Sequence, residues 1–183
     1  MTNGRQIDKA QRVVVTGIGM VTPLGIGREE FGSRLFAGET GIAEIASFNT
    51  NAFSSHLGAE VRNFNPRDFI SVKNIRRMDK ISLMTAAAAR LALNDAGMQI
   101  TAENRDRVGI VLGTAFGATD ITAQFLQTLF KDGPASVNPI LVPNTVMNAA
   151  AGHTSIELGF RGLNTTVTHF AVSAENALAY AAA

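Results

Sequence analysis

Apolar residues recur along the chain with two different spacings, and these predict alternating strands and helices. β-Branched runs at residues 12–16 and 108–112 are typical of buried strands, and the more polar run at residues 164–168 is typical of a short strand. Helical spacing, with glycine, proline or polar residues at the ends, predicts helices over residues 28–37, 79–97, 119–131, 144–158 and 171–183. For residues 144–158 we expect Asn144 to be the N-cap. This alternation predicts an α/β fold, with a mixed sheet flanked by helices.

Composition narrows the class of protein. The 183 residues are 46% hydrophobic and 17% charged, which favours a globular domain with a real core. A net charge of +1 gives no reason to expect nucleic acid as a partner, and the absence of cysteine excludes disulfides and thiolate chemistry. The sequence contains no run of about 18 apolar residues, so no membrane span is predicted. The polar start lacks an apolar signal core, so we expect a flexible tail over residues 1–11 and a cytoplasmic protein.

A tight turn joins the strand at residues 164–168 to the helix that follows it. A turn of this kind raises one side chain to the N-terminus of a helix, where free N–H groups and the helix dipole favour negative charge. Nucleophiles are often placed there, because this field lowers a thiol pKa or stabilises an oxyanion. The residue at the summit of this turn is Ala171, which carries no nucleophile.

The sequence RGLNTTVTHFAVSAENALAYAAA at residues 161–183 resembles the nucleophile turn of the β-ketoacyl-ACP synthases, the condensing enzymes of fatty acid and polyketide synthesis. Their pattern is roughly G-P-N-x-x-V-x-T-A-C-A-S-G. The chain keeps four of these residues: Gly162, Asn164, Val167 and Ser173. It differs from the pattern at six: Leu163 for Pro, His169 for Thr, Phe170 for Ala, Ala171 for the catalytic Cys, Val172 for Ala and Ala174 for Gly. The strings VVVTGIGMVTPLG and VPNTVMNAAAGHTSIELGFRG are also similar to this family, and its KAS II type is the one we expect.

The resemblance covers residues 12–183 and implies the N-terminal domain of a condensing enzyme. That domain is one half of a thiolase-like, layered α/β/α/β/α fold. Known members run to more than twice this length, and their second half supplies two catalytic histidines, a lysine and a glycine-rich loop. The sequence contains no counterpart of that half, so we expect a truncated domain.

The resemblance also implies three sets of site residues besides Ala171. Phe116 and Gly117 correspond to the loop that lines the acyl pocket, although Phe116 is also explained as an ordinary core residue. Lys73, Arg76 and Arg77 correspond to the docking surface for acidic acyl carrier protein, since fixed cations attract an anionic partner; a solvated loop explains them equally well. The family pairs strands across its dimer at the positions of Asn164, Thr165, Thr166, Val167 and Thr168.

The remaining polar candidates have simpler explanations. His56 stands alone, without the second ligand that a metal site requires, and His153 fits a structural role. Ser173 has no general base to activate it. His169 lies two residues before Ala171, and the side chains of neighbours on a tight turn seldom align.

Two hypotheses of function follow from the resemblance. The first is a condensation-incompetent partner subunit like a chain-length factor, forming a homodimer, or a heterodimer with an active ketosynthase or a separate C-terminal half. The alternative is a truncated or altered fragment of an ordinary acyl-transferring 3-oxoacyl-ACP synthase; an inactive remnant is a second alternative. In each case no cofactor or metal is expected, because substrates would arrive on the phosphopantetheine of acyl carrier protein.

Overall fold

The computed structural model describes residues 12–183, so the tail expected over residues 1–11 lies outside the described residues. Within them the chain forms the α-helices α1 (Arg28–Phe36), α2 (Val72–Ile75), α3 (Lys80–Asp95), α4 (Thr119–Asp132), α5 (Ala149–Leu158) and α6 (Ser173–Ala182). The strands are β1 (Val21–Thr22), β2 (Gly25–Ile26), β3 (Ile42–Glu44), β4 (Leu57–Ala59), β5 (Ile110–Gly113) and β6 (Asn164–Val167). Short 3₁₀ turns cover Pro66–Asp68, Arg105–Arg107, Pro134–Ser136, Pro139–Asn144 and Phe170–Val172.

The strands of the described chain pair two by two. β1 with β2 and β3 with β4 form antiparallel pairs, whereas β5 and β6 run parallel. In the parallel pair the register runs from Ile110 opposite Asn164 to Gly113 opposite Val167. α5 and α6 pack against this pair. Because the two strands are parallel, the segments that leave their carboxyl ends emerge at the same edge.

The core is built where α3 packs against α5. Both helices bury small side chains, which let their backbones approach closely: Ser82, Ala86 and Ala87 on α3, and Ala150, Ala151 and Thr154 on α5. Next to them Ile70, Met78 and Ala86 form a buried cluster, against which Phe69, Ile75 and Leu83 are packed. Because Ile70 and Met78 flank α2, the short basic segment between them is attached to the core at both ends.

Most of the predicted elements are confirmed within two residues of their expected ends. Asp79 is the N-cap of α3, where its carboxylate accepts a hydrogen bond from the Ser82 N–H at 3.0 Å. Among residues 12–183, no helix is both long enough and apolar enough to cross a bilayer.

The predicted strand at residues 12–16 is wrong. The segment pairs with no strand in the described chain, and Val13, Val14 and Val15 are 67%, 68% and 77% exposed. A β-branched run forms a strand only where another strand lies beside it. Here the continuation of the segment lies along a helix instead, and the Ile18 N–H donates to the carboxylate of Asp95 on α3 at 2.9 Å.

Two predicted helix starts are also corrected. The helix expected from Asn144 begins at Ala149, with Asn148 as its N-cap, because Asn144 ends a 3₁₀ turn and its buried side chain bonds to distant groups. The helix expected from Ala171 begins at Ser173, after the 3₁₀ turn Phe170–Val172.

Candidate functional site

The candidate site lies where the two parallel strands end. The Thr114 N–H donates to the Val167 carbonyl at 3.0 Å, which continues the ladder one residue beyond β5. The loop after β5 therefore starts beside the turn after β6. A side chain at Gly113 would not fit, because its Cβ would lie 2.4 Å from the carbonyl oxygen of Ser173. This glycine allows the end of β5 to touch the backbone at the start of α6.

The turn after β6 carries the strained residue of the site. Phe170 has φ +51°, which lies in the left-handed region, where a bulky side chain is costly. Ala171 follows it in the middle of the 3₁₀ turn and is exposed. The geometry thus presents residue 171 at the surface just before α6, as the sequence predicted for the summit of the turn, and the side chain there is a methyl group.

The hydroxyl of Ser173 is committed to holding this turn together. Its side chain is buried, and its oxygen accepts from the His169 N–H at 2.8 Å. The same hydroxyl lies within donating distance of the Thr114 and Phe170 carbonyls, at 3.0 and 2.8 Å. The ring of His169 turns to Asn176, with its Nδ1 2.8 Å from the Asn176 amide nitrogen. Ser173 is therefore a structural residue of the turn, a role that the sequence did not predict.

Phe116 and Phe170 form an aromatic pair beside Ala171. Their ring centroids are 5.6 Å apart and their planes cross at 88°, which is the favourable edge-to-face arrangement. Gly113 and Val167 lie opposite each other in the sheet, and Phe116 and Phe170 each follow three residues later. The parallel register therefore brings the two side chains together. Sequence reasoning selected Phe116 but missed Phe170 as its partner. The available signal was the equal spacing of the two phenylalanines from the ends of their strands.

At Gly117 the loop after β5 packs against the segment that precedes α5. It has φ +58°, a conformation that glycine adopts without strain, and a Cβ there would lie 2.4 Å from the sulfur of Met147. The Gly117 N–H donates to the Thr114 hydroxyl at 3.1 Å, which holds the loop in a tight turn. Phe116 and Gly117 therefore belong to one continuous surface, the wall of the site, which continues into residues 144–147.

The three predicted docking cations are exposed and lie on or just after α2. Lys73 is inside this helix, Arg76 is its C-cap and Arg77 follows. Among residues 12–183, no carboxylate lies within 4.0 Å of any of the three cationic groups. Their charges are thus available to an external anion.

A hydrogen-bonded relay joins this basic segment to the wall of the site. The Asn144 side chain donates to the Arg77 carbonyl at 2.9 Å and accepts from His153 Nε2 at 2.7 Å. Burial lowers the pKa of His153, and the negative charge of Asp79 opposes this only in part, so the neutral form of the imidazole is favoured. Since Asn144 and Met147 belong to one short stretch, that stretch contacts both the basic segment and Gly117. His153 has the structural role that its sequence context predicted.

Known proteins resemble this chain along nearly its whole length. Residues 10–183 match the sequence model of the family described as "Beta-ketoacyl synthase, N-terminal domain". The chain belongs to the β-ketoacyl synthase family. It is 37% identical over 158 residues to the 3-oxoacyl-[acyl-carrier-protein] synthase 2 of Vibrio cholerae, a match that covers 86% of this chain and 38% of that protein. The chain therefore spans about two fifths of the length of this curated relative.

Solved structures of ketosynthases have the same fold. The ishigamide ketosynthase/chain length factor superposes with a TM-score of 0.73 at 30% identity, covering 85% of this chain and 39% of that one. The complex AntDE:AntF, in which a type II polyketide synthase acyl carrier protein is bound to its ketosynthase, superposes with a TM-score of 0.67 at 20% identity, covering 85% and 37%. This β-ketoacyl synthase domain thus has the thiolase-like fold of the condensing enzymes.

No metal centre is formed by this β-ketoacyl synthase domain within the part of the chain that the structure describes. Nowhere in residues 12–183 do three His, Cys, Asp or Glu side chains come together as ligands.

Proposed function

We propose that this β-ketoacyl synthase domain acts as a condensation-incompetent partner subunit in fatty acid or polyketide chain elongation, in the manner of a chain-length factor. The observation that carries the proposal is the exposed methyl group of Ala171 in the turn between β6 and α6. Acyl transfer by this family requires a thiolate at that point of the turn, and the whole sequence contains no cysteine.

Neighbouring groups do not replace the missing thiol. Ser173 is 3% exposed, and its hydroxyl is hydrogen-bonded to the backbone of the turn and of the loop after β5. The His169 ring lies against Asn176 rather than Ser173, so no base–nucleophile pair is formed. The turn keeps the geometry of a nucleophile site and lacks the group that bonds to the acyl chain.

We further propose that the aromatic pair limits the space for an acyl chain. Phe116 and Phe170 are 66% and 69% exposed, so their rings project from the surface beside Ala171 instead of filling the core. An exposed pair of rings next to the acyl-bearing position acts as a stop for the growing chain. Setting a length in this way requires no nucleophile, which suits a partner subunit.

Acyl carrier protein is the proposed partner of the basic segment. Lys73, Arg76 and Arg77 are exposed, and the relay through Asn144 attaches their segment to the wall that contains Gly117. An acidic carrier bound there would be steered by unpaired cations towards the same region as the aromatic pair.

The outer edge of β6 is the proposed contact with a second subunit. Leu163 and Val167 give their carbonyls to β5, so by the alternation of a strand the backbone groups of Asn164, Thr166 and Thr168 face the other way. Within the described chain β6 pairs with β5 alone. An open strand edge of this kind pairs readily with another chain, either a second copy or an active ketosynthase.

The absence of acyl transfer is tested with the full chain and a labelled acyl-ACP. The chain is incubated with the acyl-ACP, with malonyl-ACP and with both, and its intact mass and the β-ketoacyl products are measured. We expect no covalent acyl adduct and no product from the chain alone. An adduct on this polypeptide, or chain elongation by it unaided, would contradict the proposal.

Carrier docking is tested separately by changing charge. Arg76→Glu/Arg77→Glu should weaken binding of an acidic holo-ACP by about tenfold or more, with a smaller dependence of affinity on salt. The matched control is Arg107→Glu/Arg161→Glu, which makes the same change of net charge near the amino end of β5. Equal weakening by both variants would indicate a general effect of charge and would remove the docking site.

The alternative function is a piece of an ordinary 3-oxoacyl-ACP synthase altered around residue 171. Its support is the 37% identity to the Vibrio cholerae synthase, of which the match covers 38%. A reading frame that encodes the matching remainder, directly downstream in the same gene region, would favour this alternative. Its absence, together with a complex between this chain and a cysteine-bearing ketosynthase in sedimentation analysis, would favour the partner subunit.

A further inference from the structure

One buried carboxylate, that of Glu157 on α5, receives four hydrogen bonds from two other parts of the chain. Its side chain is 4% exposed. The Ser71 N–H and hydroxyl donate to it at 3.0 and 2.8 Å, and the Asn74 side-chain nitrogen donates at 2.6 Å. The fourth donor is Nη2 of Arg90 on α3, at 3.1 Å. Ser71 and Asn74 are the N-cap residue and a member of α2, so the carboxylate holds the start of that helix.

The charge of Glu157 is compensated where it lies. Burial by itself raises the pKa of this carboxyl, but the Ser71 N–H, the Asn74 amide, the Ser71 hydroxyl and the Arg90 charge together lower it below its ordinary value. A buried carboxylate is tolerated only with such partners, and removing one side of the arrangement leaves the other unpaired. Arg90 also donates from Nε to the Phe69 carbonyl, which extends the same cluster to the residue before Ile70.

The basic segment depends on contacts of this kind for its conformation. α2 is four residues long, far too short to be stable as an isolated helix. Its start is held by Glu157, and its end by the Asn144 bond to the Arg77 carbonyl and by burial of Met78. Lys73, Arg76 and Arg77 lie between these two attachments, so their direction is set by groups 67 to 86 residues away in the sequence.

We propose that Glu157 is a positioning residue for the carrier-protein docking surface, acting through Ser71 and Asn74 on the direction of the α2 cations. This inference rests on the proposed docking of acyl carrier protein by Lys73, Arg76 and Arg77. Glu157 itself is buried beneath α2, so its carboxylate does not contact the carrier. Its effect on binding is therefore indirect and must disappear when the cations are removed.

The test is a double-mutant cycle on the binding of an acidic holo-ACP, with the Kd measured at several salt concentrations. Glu157→Gln keeps the shape of the side chain. It removes the charge that holds Arg90, and it replaces one of the two carboxylate oxygens that accept hydrogen bonds from Ser71 and Asn74. We expect it to weaken binding by about tenfold and to reduce the salt dependence. In the Arg76→Glu/Arg77→Glu background the same substitution should have almost no further effect.

Glu29→Gln on α1 is the matched control, because it removes one negative charge from an exposed side chain and should leave the Kd unchanged. Asn74→Ala is the milder second variant, used if Glu157→Gln does not fold; it removes a single bond to the carboxylate and should weaken binding in the same direction.

The outcomes separate the two proposals. If Arg76→Glu/Arg77→Glu leaves binding intact, the docking function itself fails. If that variant weakens binding while Glu157→Gln and Asn74→Ala do not, only the positioning role is overturned. A loss from Glu157→Gln that is equally large with and without the arginines would also overturn it, since a merely structural effect does not depend on the cations.

Discussion

The rings of Phe116 and Phe170 meet edge to face with their centroids 5.6 Å apart, although 54 residues separate them in the sequence. The contact is made possible by the parallel register, in which Gly113 lies opposite Val167 and each phenylalanine follows three residues later. The left-handed backbone of Phe170 stores strain in the same turn. Together these features place two exposed rings beside Ala171, the residue that we propose occupies the position of the family's nucleophile.

Replacing Phe116 with alanine should open space beside Ala171. The expected result is tighter binding of a long-chain acyl-pantetheine probe, by at least about threefold, because a newly accessible apolar surface can cover several methylene groups. Binding is measured by fluorescence titration or calorimetry of the full chain. Phe130→Ala is the control, since Phe130 is 82% exposed on α4 and forms no aromatic pair with either ring. Unchanged binding by Phe116→Ala would remove the role of the pair as a stop.

Replacing Ala171 with cysteine should produce an unusually reactive thiol. The turn lies at the N-terminus of α6, where free N–H groups stabilise a thiolate and lower its pKa from the ordinary value of about 8.5. Because the chain has no other cysteine, alkylation by iodoacetamide reports on this site alone. We expect the rate to rise with pH at a midpoint about 1 pH unit below that of Ala179→Cys, an exposed position in the second half of the same helix. Equal midpoints would show that the turn does not activate a nucleophile.

How far the sequence predicts this protein depends on how local each feature is. α3, α4 and β6 follow from spacing within the segment itself, so their positions are confirmed closely. The fate of residues 12–16 depends on whether another strand lies alongside, and Ile18 bonds instead to Asp95, 77 residues away. No local pattern contains that information.

The site divides in the same way. The summit position of Ala171 follows from a strand that runs directly into a helix, and the sequence predicts it. The pairing of Phe170 with Phe116 requires the β5–β6 register, and the bonds of Ser71 to Glu157 join residues 86 apart. Such contacts exist only once the fold has brought α2, α3 and α5 together. The roles proposed for Lys73, Arg76 and Arg77 remain predictions.

Gly113→Ala should destabilise the junction between β5 and α6. The added Cβ would lie 2.4 Å from the Ser173 carbonyl oxygen and 2.6 Å from its carbon, and these backbone atoms cannot rotate away as a side chain can. We expect a loss of about 2 kcal/mol or more in the free energy of unfolding, measured by chemical denaturation. Gly152→Ala in α5 is the control: nothing lies within 4 Å of its added Cβ, so it should stabilise the helix by about 0.5–1 kcal/mol. A neutral Gly113→Ala would show that strand and helix can separate at no cost.

The free energy of unfolding should fall as the pH drops below about 6.5, in part because of His153. Burial lowers the pKa of this imidazole in the folded chain, and the attraction of Asp79 does not fully restore it, whereas the unfolded chain titrates near 6.5. Below that value the unfolded state binds more protons than the folded state, so stability is present above it and is lost as the solution is acidified. His153→Gln retains an N–H donor for Asn144 Oδ1 but does not titrate, and should flatten the profile measured by denaturation from about pH 5 to pH 7.5. The control is His56→Gln, which removes an exposed imidazole from the loop before β4. If the wild-type and His153→Gln profiles are parallel throughout this range, the neutral, half-buried imidazole of His153 does not contribute to stability.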